Sequence, residues 1–229
     1  VGCFAIGLGP TGSADPYALR RQALGIIRTT LAHRPPIALR ELVEAAAAGH
    51  ERVIDDPSKV IAQVLEFFAG RLRNLLVEEG VRYDLVDAAL ALGVDDILAA
   101  RARALALAEL AGTETFDALI VAYQRAANLA KKANPGVVVE PGLFAHHEEE
   151  ALWSALQATR REVDEHVAAG RFDLALAALS GLRPRVDDFF QAVLVMAEDP
   201  AVRDNRLALL NAVVQAFGGV ADLSLVVGR

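Results

Sequence analysis

Between residues 116 and 132, in FDALIVAYQRAANLAKK, apolar and polar positions separate at the helical period. At 100° per residue, Phe116, Leu119, Ile120, Tyr123, Ala126, Ala127 and Ala130 fall on one side. Arg125, Asn128 and Lys132 stand at i, i+3 and i+7 on the other, with Lys131 at its flank. One face is expected to pack into a bundle, leaving three cations and an amide outside. A solvated face whose lysines complement the negative pole of the helix would give the same pattern. The other reading is a surface that holds phosphates and reads base edges.

The same period recurs along the chain. Asp15 as N-cap and Pro16 at N1 predict a helix to about Ala32, burying Leu19, Ala23, Ile26, Ile27 and Thr30 or Leu31. A second helix runs through Leu39, Leu42, Val43 and Ala46 to Gly49. Asp56, Pro57 and Ser58 open a long third helix that ends at Gly80. Asp84 is expected to cap a short helix ending near Gly93, and Asp95 and Asp96 to start another that runs to Gly112. After Lys132, NPGVVVEPG has no helical period and reads as a functional or hinge loop. Helices resume through Leu152 to Val167, Phe172 to Leu179, Val186 to Val193, and Leu207 to Phe217, the last opened by Asp199 and Pro200. Arg203 and Arg206 stand at the head of that final stripe, where pairing with Asp187, Asp188 or Asp199 is the alternative to an RNA role.

Alanine and leucine dominate, and 54% of the 229 residues are hydrophobic, so an all-α fold of packed helical regions is expected. The clearest break in composition lies at Ala111 to Thr115. Formal charge is -7, so any nucleic acid must meet a local basic patch on an acidic body. Cys3 is the only cysteine, which excludes a disulfide framework and suits a reducing cytoplasm. No apolar run reaches the roughly 20 residues that span a bilayer. VGCFAIGLG opens the chain without an initiator Met or a charged signal-peptide head, so a fragment of a longer protein is expected.

Several chemical motifs fail on inspection. Gly7, Gly9 and Gly12 form GxGxxG, but Pro10 stiffens the loop and no strand–helix alternation follows. His146 and His147 precede three glutamates, yet no spaced second ligand pair accompanies them, so no metal is assigned. No serine or cysteine lies in a nucleophile context, and no catalytic residue is assigned.

Three stretches together resemble one family. PTGSADPYALRR, from Pro10 to Arg21, is similar to the PTGSxDPFALRR segment of the β subunit of bacterial two-subunit glycyl-tRNA synthetase. YQRAANLAKK, from Tyr123 to Lys132, is similar to the RxxNxxKK helix of its DALR-type anticodon-binding domain. VLVMAEDPAVRDNRLALL, from Val193 to Leu210, is similar to its VMVMAEDxxLRxNRLALL segment. Ala14 and Tyr17 replace the usual Lys and Phe, and Leu194 replaces a Met. The lost lysine removes one potential phosphate contact from the first motif.

The resemblance implies an expected organisation: residues 1–65 as the end of an HD-like helical body, 66–111 as a helical connector, and 112–229 as a DALR-like anticodon-binding bundle. It implies glycine tRNA as ligand and a glycyl-tRNA synthetase α subunit as partner, in an α2β2 heterotetramer. Acylation, with ATP and Mg²⁺, would belong to the α subunit, and no cofactor, membrane or DNA is expected here. Arg125 and Asn128 are the expected readers of the two anticodon cytosines that glycine tRNAs share. Lys131 and Lys132 are the expected anchors, and Arg203 and Arg206 secondary contacts. Asn205, more than 90° from those arginines around the helix, is expected to be structural. The rivals are the equivalent domain of an arginyl-tRNA synthetase, to which the first motif does not belong, and a helical protein-docking module.

Overall fold

A computed structural model describes residues 1–50, 52 and 54–227, so the expected C-terminal range ending at 229 runs two residues beyond it. Among the described residues every regular element is helical, and the β-type pairing is one isolated bridge between Thr11 and Ala14. The chain divides into two compact units, Val1–Ala104 and Leu105–Arg229.

The first unit contains α1 (Gly2–Ala5), α2 (Leu19–His33), α3 (Leu39–Ala48), α4 (Pro57–Glu78), α5 (Tyr83–Leu90) and the start of α6 (Ile97–Leu110). Its centre is α4, against which α1, α2, α3 and α5 pack. Seven apolar side chains of α4 are buried, from Val60 to Leu76. Asp56 accepts the Lys59 N–H at its head, and Gly80 adopts φ +95° at its foot. There the Val81 N–H reaches the Leu76 carbonyl and the Gly80 N–H that of Val77, a Schellman closure that needs the left-handed glycine.

Three expectations need correction in this unit. Asp15 does cap α2, but from further off: its carboxylate accepts the N–H groups of Leu19 and Arg20, and the helix starts at Leu19 after a left-handed Ala18. Ile26 and Leu42 are about 40% exposed, because α2 and α3 each press a narrow stripe on α4. Asp84 is not a cap; it lies inside α5, buried, and pairs with Arg82.

The second unit contains the rest of α6, then α7 (Glu114–Ala130), α8 (His147–Ala168), α9 (Phe172–Ser180), α10 (Arg183–Ala192) and α11 (Pro200–Ala216). Short 3₁₀ turns occupy Pro141–Leu143 and Leu223–Leu225. At its centre is α11, which packs on α7 and α8, while α8 also holds α9 and α10. All six residues from Asn205 to Leu210 are buried, so this helix meets protein on every side rather than along one stripe. Asp199 caps α11 as its sequence implies, accepting the Ala201 N–H ahead of Pro200.

The start of α7 is set by Thr113, whose hydroxyl oxygen accepts the Phe116 N–H. Thr113→Ala should cost about 1 kcal/mol of stability, measured by urea denaturation, as loss of such a cap usually does.

Candidate nucleic-acid interface

Packing fixes the rotation of α7. Phe116, Leu119, Ile120, Ala122, Tyr123 and Ala126 are buried, and α7 packs on α11, α10 and α9. Tyr123 meets Phe217 edge-on, with ring centroids 5.1 Å apart, and burial together with the Asp222 charge pushes its hydroxyl up to about 12. With that side committed, Arg125 and Asn128 stand exposed on the other. The helix closes at Ala130, and Lys131 and Lys132 follow in an exposed turn.

Two of these side chains touch each other, and a third rests on a neighbouring helix. The Lys131 ammonium donates to the Asn128 side-chain oxygen at 3.4 Å. The Arg125 guanidinium carbon lies 4.3 Å from the centroid of the Phe190 ring on α10. That cation–π contact holds the guanidinium plane over an aromatic face while its edge keeps donors for a ligand.

The loop after α7 is tied back to the head of α11. Asn134 donates to the Asp204 carboxylate at 2.8 Å. Asn205, 2% exposed, accepts the Glu140 N–H and donates to the Glu140 carbonyl, the structural role its angle on the helix suggested. Arg203, beside Asp204, is one-third exposed, with its Nε 3.8 Å from that carboxylate.

Arg206 goes elsewhere, which corrects its place among the RNA contacts. It is 5% exposed and bonds the fully buried Glu149 at 2.9 Å, while its Nη1 donates to the Leu194 carbonyl. A guanidinium so enclosed holds α8, α11 and the Leu194 segment together and offers no face to RNA. Its partner is also not one of the aspartates proposed from sequence. Asp187 and Asp188 pair with Arg183 and Arg185 instead.

Sequence reasoning missed the roles of Glu149 as partner of Arg206 and of Phe190 as support for Arg125. Glu149 reads as one of three acids in a first helical turn, a pattern the dipole already explains. Its signal is its position three residues after the N-cap, from which it accepts the His146 N–H, and it accepts the Ala145 N–H as well. Burial alone would raise the Glu149 carboxyl. Hydrogen bonds from Arg206, Ala145 and His146 outweigh that and hold it below the usual carboxylate range. The helical period places Phe190 with Val186, Phe189 and Val193 on a stripe expected to be buried, but nothing linear links it to Arg125, 65 positions earlier.

No group of three or more metal-ligating side chains occurs among the described residues, and no described helix is long and apolar enough to cross a membrane.

Comparison with known proteins adds an independent line. A family model described as glycyl-tRNA synthetase beta subunit matches residues 1–91, and one described as DALR anticodon binding domain matches residues 119–223. The glycine–tRNA ligase beta subunit of Desulforudis audaxviator is 46% identical over 225 residues, covering 98% of this chain and 33% of that protein. That of Desulforamulus reducens is 43% identical over 230 residues, covering 99% and 33%. That of Clostridioides difficile is 36% identical over 226 residues, again covering 99% and 33%. The chain thus spans about a third of the length of the curated relatives it matches.

Proposed function

Because the chain belongs to the glycyl-tRNA synthetase beta-subunit family, we propose that it is the tRNA-binding portion of such a ligase, recognising the anticodon of glycine tRNA. Acylation then occurs on an α subunit, which holds ATP and Mg²⁺, within an α2β2 assembly of the cytoplasm. In this reading residues 112–229 engage the anticodon, residues 1–65 end the body of the subunit and 66–111 connect the two.

One observation carries the proposal: Arg125, Asn128, Lys131 and Lys132 are exposed together at the end of α7, inside the stretch matched by the anticodon-binding model. Arg125 presents several donors to a base edge or a phosphate, and Asn128 can both donate and accept. The lysines add salt-sensitive attraction that does not depend on sequence. Arg203 is a weaker contact, since Asp204 partly neutralises it. Arg206 is dropped from the set. An arginyl-tRNA synthetase origin is not supported by the relatives named above, which are all glycine–tRNA ligase beta subunits.

The test is the double variant Arg125→Ala with Lys132→Ala, in filter binding to glycine tRNA at fixed salt. Affinity should fall by about tenfold or more, and the log–log salt slope should flatten by about 1. Full-strength binding by a variant with an unchanged circular dichroism spectrum would falsify the assignment and favour a protein-docking module.

A further inference from the structure

A second basic surface lies on α2, in the Val1–Ala104 unit. From Leu19 to Arg34 the sequence has four arginines and no acid, on a chain whose net charge is -7. Ala23 and Ile27 are the buried residues of α2, which packs on α4. At 100° per residue the opposite side carries Arg21, Gly25, Arg28 and Ala32, and all four are exposed. Arg20 is committed to the Gly12 and Ser13 carbonyls. Among the described residues no hydrogen bond or ion pair engages Arg21 or Arg28. Asp15 is near enough to Arg21 for their charges to interact, but its carboxylate is taken by the Leu19 and Arg20 N–H groups. Gly25 points the same way. A glycine inside a helix destabilises it relative to alanine, so its presence calls for a local need. The described residues supply none: the backbone there is ordinary right-handed helix, and a Cβ at Gly25 would meet no atom within 4 Å.

We propose that this face of α2 seats a stretch of RNA sugar–phosphate backbone, with Gly25 as the floor on which the strand lies and Arg21 and Arg28 as clamps on either side of it. The inference rests on the RNA-binding reading above and adds a contact outside the Leu105–Arg229 unit. Seven positions separate the two arginines, about 10 Å along the helix axis, and each guanidinium fork can take a phosphate. The missing side chain between them lets the strand approach the helix closely. Thr29, exposed one turn beyond Gly25, offers a hydroxyl to a ribose 2′-OH. Contacts of this kind position an RNA and carry no base specificity. An acidic protein would also meet the arginines. Stable protein interfaces bury an apolar core, however, and the only apolar side chain among the four residues of this face is the methyl group of Ala32.

The experiment is filter binding of glycine tRNA and of an unrelated tRNA to the full 229-residue chain over a series of salt concentrations. Arg21→Ala with Arg28→Ala should weaken both tRNAs by the same factor, at least about fivefold, and flatten the log–log salt slope by about 2. Gly25→Leu separates binding from folding. It should melt at a higher temperature than the unaltered chain, because leucine is the better helix former, yet bind both tRNAs at least about fivefold more weakly. Full-strength binding by either variant, with an unchanged circular dichroism spectrum, overturns the α2 contact. The α7 interface is read separately, from Arg125→Ala with Lys132→Ala in the same assay. A lower melting temperature for Gly25→Leu would show that the glycine serves the fold, and a loss confined to glycine tRNA would show base reading; each overturns the proposal. If the unaltered chain binds neither tRNA, both readings fall.

Discussion

Glu149→Ala is expected to destabilise the Leu105–Arg229 unit by about 3–5 kcal/mol, because it strands the Arg206 guanidinium inside the protein. Against a typical domain stability of about 5–15 kcal/mol, that is a large fraction of the total. Trp153, the sole tryptophan, lies one turn along α8 from Glu149, so its fluorescence during urea denaturation reports this unit. Replacing both partners, Glu149→Leu with Arg206→Met, should recover only part of the loss. The carboxylate also accepts the N–H groups of Ala145 and His146, and the guanidinium also donates to Leu194. A variant Glu149→Ala within 1 kcal/mol of the unaltered chain, an allowance set by ordinary surface substitutions, would refute the structural role.

The same carboxyl gives the unit an acid limit. Its folded pKa lies below its ordinary value, so its contribution is complete above the ordinary carboxylate range and is lost as pH falls through the folded value. Glu149→Gln should therefore be less stable than the unaltered chain at neutral pH, with the gap narrowing towards acid. A gap that widens on acidification would contradict the pairing.

Phe189→Ala is expected to cost a similar amount, about 3–5 kcal/mol, by opening a cavity where α10 meets its neighbours. Phe189 is fully buried, and its ring meets that of Phe190 edge-on with centroids 5.6 Å apart. The contrast is Phe190→Ala. That ring is half-buried, so its loss should be milder, but it removes the face on which Arg125 rests, worth about 0.5–1 kcal/mol at an exposed site. Denaturation followed by Trp153 fluorescence separates the two. A smaller loss for Phe189→Ala than for Phe190→Ala would mean that the burial pattern of α10 is misassigned.

What could be read from the sequence depended on how many neighbours each helix has. On α7, Phe116, Leu119, Ile120, Tyr123 and Ala126 were legible because a single dry face repeats at the helical period. Ala122 escaped because it lies at the edge of that face and is small. On α2 the same reasoning over-reached: Ile26 fits the stripe, but one neighbouring helix covers too little of it. On α11 it under-reached, since burial on every side has no period to detect. Arg203 and Arg206 differ by three positions and look equivalent in a linear reading. What separates them is Glu149, 57 residues earlier, descending from another helix onto only one of them.

The all-round enclosure of α11 has a consequence for how the protein is made. Translation produces α7 and α8 before the residues of α11, so both leave the ribosome while the helix they pack on is still missing. Until it arrives, the faces of α7 and α8 that pack on it stay uncovered and Glu149 has no guanidinium to meet. Over that interval the nascent segment exposes apolar surface that the finished unit buries, so the bundle closes only once α11 has emerged.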